Sequence, residues 1–184
     1  DTRSITPLIT LLQTPRLEPL LAVATIQALA QFPEEPRVVP PLLAVLSDTN
    51  PLLCEECVNA LSQLGEVAFN DLITALAVPQ EAAVTQRMRR ALLGMKPFPA
   101  EQLVQLLEQA GELLVQQILI LFKMQGAESA QVLVRHLLDR NELIRDYAQQ
   151  VLNDMPGPIV LPALLEGLSQ TSLRRVITTI ILQY

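Results

Sequence analysis

The chain repeats one pattern six times, and the pattern is that of two amphipathic helices joined in a hairpin. With Leu53, Cys57, Ala60, Leu61 and Leu64 as a template, the apolar offsets are 0, 4, 7, 8 and 11. Residues so spaced share one face of a helix. The offsets return at Leu21, Thr25, Ala28, Leu29 and Phe32, at Val84, Met88, Ala91, Leu92 and Met95, and at Leu113, Gln117, Ile120, Leu121 and Met124. They continue at Ile144, Ala148, Val151, Leu152 and Met155 and at Leu173, Ile177, Ile180, Ile181 and Tyr184. The starting residues 21, 53, 84, 113, 144 and 173 are 32, 31, 29, 31 and 29 residues apart. A shorter block precedes each one: Pro7 to Leu12, Pro41 to Leu46, Asp71 to Leu76, Gln102 to Leu107, Val132 to Leu137 and Ala163 to Leu168. Its second, third and sixth residues are always aliphatic, again at helical spacing.

Twelve short helices in six hairpins follow. One hairpin cannot bury its apolar face alone, so neighbours must stack and share an extended core, the logic of an α-solenoid. The prolines agree with this segmentation. Pro40, Pro41, Pro99 and Pro158 fall at or just before the first turn of leading helices, where a missing amide donor costs little. Pro33, Pro97 and Pro156 follow second helices and stop them. No stretch alternates with period two over the length of a strand, so the expected class is all-α, a single domain over residues 1–184. The chain begins at Asp1 and its last helix, Val176 to Tyr184, is almost wholly apolar. Terminal repeats of a solenoid need a polar outer face, so the sequence reads as a fragment of a longer protein or as an end covered by another chain.

The segment Asp139-Arg-Asn-Glu-Leu-Ile-Arg145-Asp-Tyr-Ala148 resembles the turn and second helix of the HEAT-repeat family, particularly the short, phycobilisome-lyase-like HEAT repeats. Asp48-Thr-Asn-Pro51 leading to Cys57 resembles the same unit, and the family's Arg slot is filled by Arg145 and Arg174. The resemblance implies a right-handed α-solenoid of six stacked helical hairpins, a HEAT-like superhelix whose second helices line the concave side.

With half of its 184 residues hydrophobic, the chain can bury a sizeable core. A net charge of -6 argues against nucleic acid or an anionic membrane as the main partner, because both demand a basic footprint. No apolar run is long enough to span a bilayer and no signal peptide opens the chain, so a soluble, cytoplasmic protein is expected. Candidates for chemistry are few. Cys54 and Cys57 have the spacing of a redox pair, but no second pair exists and Cys57 takes a small core slot, so both read as structural thiols rather than metal ligands. His136, the only histidine, replaces an aliphatic or small residue of a leading helix and reads as a partly buried, hydrogen-bonded imidazole. Glu34, Glu35, Glu55 and Glu56 are adjacent pairs rather than converging ones. No phosphate loop, catalytic triad or zinc spacing is present, and no catalytic role or cofactor is expected.

What remains is a surface. In the fifth repeat the positions turned away from the core are Asp146, Gln149, Gln150 and Asn153, all polar. In the fourth they read Val115, Ile118, Leu119 and Phe122, all apolar, beside Arg89, Arg90 and Leu93 of the third. These seven residues are the expected partner-binding strip, covered by a protein partner or by an adjacent domain of the same polypeptide. The expected function is that of a protein-protein interaction scaffold or regulatory module. The alternative, carried by the resemblance, is an accessory subunit of an enzyme, similar to phycobilin lyase subunits.

Overall fold

The computed structural model describes residues 2–14 and 17–182. Tyr184, the last position of the sixth template, lies outside the described residues. Among those described there are twelve α-helices and no strand. The six hairpins are α1 (Ile5–Leu12) with α2 (Pro19–Leu29), α3 (Val39–Val45) with α4 (Pro51–Leu64), α5 (Glu66–Leu76) with α6 (Ala82–Leu93), α7 (Ala100–Leu106) with α8 (Glu112–Gln125), α9 (Ala127–His136) with α10 (Glu142–Asp154), and α11 (Gly157–Gly167) with α12 (Arg174–Ile181). No described helix is long and apolar enough to cross a membrane.

The fold comprises two compact units, Asp1–Pro99 and Ala100–Tyr184. In the first, α2, α4 and α6 lie side by side, each closed by its leading helix, and α3 packs on α5. In the second, α8, α10 and α12 form the corresponding row, with α9 against α11. The leading-helix aliphatics supply the other wall of each core. Leu42, Leu46, Leu72, Leu76, Leu103, Leu107, Leu133, Leu137 and Leu164 are all buried. Leu165 departs from the pattern, at 60% exposed.

Two hairpins sit one residue out of the register read from sequence. In α8 the buried set is Leu114, Val115, Ile118, Leu119, Leu121 and Phe122, whereas Met124 is half exposed. In α2 it is Ala22, Thr25, Ile26 and Leu29. Moving both start points by one residue gives 22, 53, 84, 114, 144 and 173, spaced 31, 31, 30, 30 and 29. The shift has a physical cause. Starting at 113 puts the Gln117 amide in the core slot held by Cys57, Met88 and Ala148, and buries a polar group among aliphatics. Starting at 114 puts Ile118 in that fully buried slot and turns Gln116 to solvent, and it leaves Gln117 half-buried, its Oε1 enclosed without a hydrogen-bond partner among the described residues. In α2 the same shift brings in Ile26, while buried Thr25 satisfies its hydroxyl by donating to the Leu21 carbonyl at 2.7 Å.

The hairpins are joined in part by glycines that other residues replace only with strain. Gly65, between α4 and α5, has φ 56° and ψ -121°, and Gly126, between α8 and α9, has φ 76° and ψ -128°. L side chains rarely adopt this conformation, and here it reverses the chain within one residue. A different constraint acts at Gly167. A Cβ there would come within 2.7 Å of Ile177 Cδ1 and 2.8 Å of Val134 Cγ1, so the bare backbone lets α11 approach α9 and α12.

Candidate functional site

The turns inside the second and fifth hairpins are built alike, as the shared Asp-x-Asn sequence requires. The Asp48 carboxylate accepts the Asn50 amide at 2.7 Å, and Asn50 in turn caps α4 by accepting the Leu52 amide at 3.0 Å. Asp139 and Asn141 repeat this at 2.9 and 3.0 Å, with Asn141 capping α10. The amide of Asn141, followed by the His136 ring, holds the Asp139 carboxyl below its ordinary range. Arg145 donates to the Asp139 carbonyl at 2.9 Å and Arg174 to the Leu168 carbonyl at 3.0 Å, so the Arg slot ties a second helix to the end of its leading helix. In the second hairpin Cys54 fills that slot, its thiol 3.3 Å from the Asp48 carbonyl.

Both cysteines are free and buried. Burial pushes the Cys57 thiol up to about 12 and raises that of Cys54, which keeps both protonated and unreactive near neutral pH. Among the described residues no group of three or more His, Cys, Asp or Glu side chains comes together to hold a metal ion. His136 is partly buried, its Nε2 2.8 Å from Glu101 and its Nδ1 3.0 Å from Asp139. It links α7 to the turn after α9, and Arg135 holds the other oxygen of Glu101 at 2.7 Å.

The apolar strip expected on the fourth repeat is not exposed. Val115 and Leu119 are each 8% accessible, and Ile118 and Phe122 are fully buried. The register accounts for this: Ile118 and Phe122 occupy the slots of Cys57 and Leu61, and Val115 fills the Arg slot. The outward positions of α8 are instead Gln116, Leu119, Ile120 and Lys123, of which Gln116 is exposed and Ile120 and Lys123 are half-buried. Lys123 pairs with Asp154 at 2.6 Å. The arginines and leucine of α6 do reach the surface. Arg90 is exposed and grips Glu55 of α4 through two parallel hydrogen bonds, 2.5 and 2.7 Å long, while Arg89 and Leu93 are half-buried. The hydrogen bond from Arg90 lowers the Glu55 carboxyl. Because both partners are about half exposed, solvent screens the pair and it adds little stability.

With the register corrected, eight of the twelve outward positions of the first unit are polar: Gln27 on α2 and Gln31 just beyond its end, Glu55, Asn59 and Ser62 on α4, and Gln86, Arg89 and Arg90 on α6; Ala24, Ala28, Val58 and Leu93 take the other four. Between α2 and α4 this face sinks into an open depression of about 540 Å³ walled by Gln27, Gln31, Glu56, Asn59 and Gln63. Its floor is made of small residues, Ala30, Ala60 and Gly94. Gly94 has to be small because a Cβ there would meet Ser62 Oγ at 2.4 Å. Gln27 donates to Glu56 at 3.2 Å, whereas no side-chain partner among the described residues engages the amides of Gln31, Asn59 or Gln63. Sequence reasoning missed this depression because the misplaced register in α2 put Ile26 and Ala30 outward beside Gln27 and hid Gln31.

The family model described as HEAT repeats matches residues 5–93. No curated protein matches the chain. Among solved structures, the chain is similar to an engineered protein at 13% identity, covering 98% of this chain and 96% of that one with a TM-score of 0.39. It is similar to a designed armadillo repeat protein at 15% identity, covering 97% and 99% with a TM-score of 0.37. A second designed armadillo repeat protein, in complex with the peptide (KR)4, is 15% identical over 97% and 98% with a TM-score of 0.36.

Proposed function

We propose that residues 1–184 work as one non-catalytic protein-protein interaction module, binding a partner segment across the outward face of its second helices; the match of the HEAT-repeat model to residues 5–93 supports this reading. The observation that carries the reading is the open depression of the first unit, with the uncommitted amides of Gln31, Asn59 and Gln63 on its walls. A side-chain amide offers both donors and an acceptor, so it can match the alternating N–H and C=O groups of a peptide main chain. Three of them at the rim favour a polypeptide over a compact small molecule. Arg89, Arg90 and Leu93 extend the face onto α6 and take part in the contact. The two free cysteines support placement in a reducing compartment such as the cytoplasm.

Site-specific photocrosslinking tests the proposal. A benzophenone side chain introduced at Asn59 in the full-length protein should attach, in its own cells, to a defined peptide of another protein. The same group at Thr74, exposed on the leading helix α5, should not attach to that peptide. Equal crosslinking from both positions, or none from Asn59, would contradict the reading.

A further inference from the structure

Among the described residues of the first unit, the exposed large apolar side chains lie on one edge. The four are Leu20 (72% accessible), Leu21 (44%), Leu52 (49%) and Val78 (50%). Leu20 and Leu21 are in the first turn of α2, Leu52 is in the first turn of α4, and Val78 is in the turn leading to α6. Singly exposed leucines are common and need no explanation. Here Leu21 and Leu52 occupy equivalent positions in successive repeats, and exposed Ala83 of α6 is the third member of the series.

The same edge is acidic. Glu18 and Glu81 stand at the N-caps of α2 and α6, and Asp48 stands in the turn before α4. All three are exposed, and none has an ion-pair partner among the described residues. Arg87 of α6 is half-buried and directs a guanidinium N–H to the Leu46 carbonyl. Arg16 lies outside the described residues. Among the described residues of the first unit, the carboxylates paired with arginine are Glu35 and Glu55, with Arg37 and Arg90.

We propose that this edge docks a basic amphipathic helix of a partner protein, laid across the N-termini of α2, α4 and α6. Spacing and charge both argue for that occupant. Packed helices stand roughly 8–10 Å apart, and seven residues of an α-helix advance about 10.5 Å. A partner helix with leucines at i, i+7 and i+14 therefore meets Leu21, Leu52 and the Val78 and Ala83 pair in turn. Lysines or arginines between those leucines face Glu18, Asp48 and Glu81, a complementarity that a second copy of this acidic chain does not offer. The surface is separate from the amide-lined depression, since Leu21 is in the first turn of α2 and Gln31 lies beyond its other end.

The test uses synthetic peptides of about 18 residues with leucine at i, i+7 and i+14. One carries lysine at the intervening charged positions, one carries glutamate, and one has the lysine composition with the leucines scrambled. Binding to the whole chain is followed by fluorescence anisotropy at low and high salt. The lysine peptide should bind at least about tenfold more tightly than either control, and its affinity should fall as salt screens the contact. Leu21→Ser with Leu52→Ser should weaken it about tenfold, and Glu18→Gln with Glu81→Gln should weaken it without touching any apolar contact. Leu165→Ser, an exposed leucine of the second unit, should have no effect. Circular dichroism melts should stay cooperative for every variant, because each altered side chain is exposed and only the loss of charge at two helix N-termini lowers stability slightly. Failure of the lysine peptide to bind, equal binding of the three peptides, or indifference to both double variants would overturn the proposal. So would sedimentation showing that the wild type self-associates and the leucine variant does not. None of these results bears on crosslinking from Asn59.

Discussion

Ile118→Glu should unfold the second unit, and Met124→Glu should leave it folded. Ile118 has no accessible surface and occupies the slot that Cys57 and Ala148 hold in other repeats, so its replacement forces a carboxylate among aliphatic side chains. An unpaired buried charge costs several kcal/mol, which is comparable with the whole stability of a unit of this size. Met124 is half exposed, and a carboxylate there stays in water, with an expected change within about 0.5 kcal/mol. Urea denaturation followed by circular dichroism reads both. The register starting at 113 predicts the reverse order, with Met124 in the core and Ile118 free to accept charge. A soluble, cooperatively melting Ile118→Glu protein would return α8 to that register.

In the first unit, Leu61→Ala should cost about 2–5 kcal/mol. Leu61 is completely buried on α4, the helix that packs against both α2 and α6 as well as α3. Truncation removes its transfer free energy and leaves a cavity that helices pinned on three sides cannot close by moving. Since each hairpin relies on its neighbours, the loss should appear as destabilisation of the whole unit rather than local fraying. The check is the urea midpoint at constant slope. A loss below about 0.5 kcal/mol would mean that the central row of second helices is packed far more loosely than its burial implies.

Most of the architecture was legible because period and punctuation act locally. The spacing of Leu53, Cys57, Ala60 and Leu61 fixed the buried face of α4, and the pattern Asp-x-Asn fixed two turns through side-chain bonds to the backbone two residues on. The phase of α8 was harder to read. Eight of the ten residues from Leu113 to Phe122 are aliphatic or aromatic, so two faces compete on hydrophobicity alone. The local discriminator was Gln117, which one phase would bury fully in place of Ile118 and the other leaves half-buried. Hydrophobic periodicity counts apolar matches and underweights the cost of a single buried amide, and that is how Ile118 and Phe122 came to be taken for surface. In α2 the ambiguity was the same in kind, between Thr25 and Ile26. Once α2 is shifted, the polar residues Gln27, Gln31 and Asn59 follow from the same rule that placed Gln149 and Gln150 outward on α10. The depression needed the structure, because its floor depends on the close approach of Gly94 to Ser62 across two helices.

The central claim is that six hairpins share one register with start points 22, 53, 84, 114, 144 and 173, and cysteine scanning along α8 tests it most directly. Single cysteines placed from residue 113 to residue 124 are labelled with a thiol reagent under native conditions. The background is low because Cys54 and Cys57 are 1% and 0% accessible. Positions 114, 115, 118, 119, 121 and 122 should be protected, and 116 and 124 should react at the rate of an unfolded thiol. Protection of 113, 117, 120 and 124 with rapid labelling of 115, 118 and 122 would contradict the shared register.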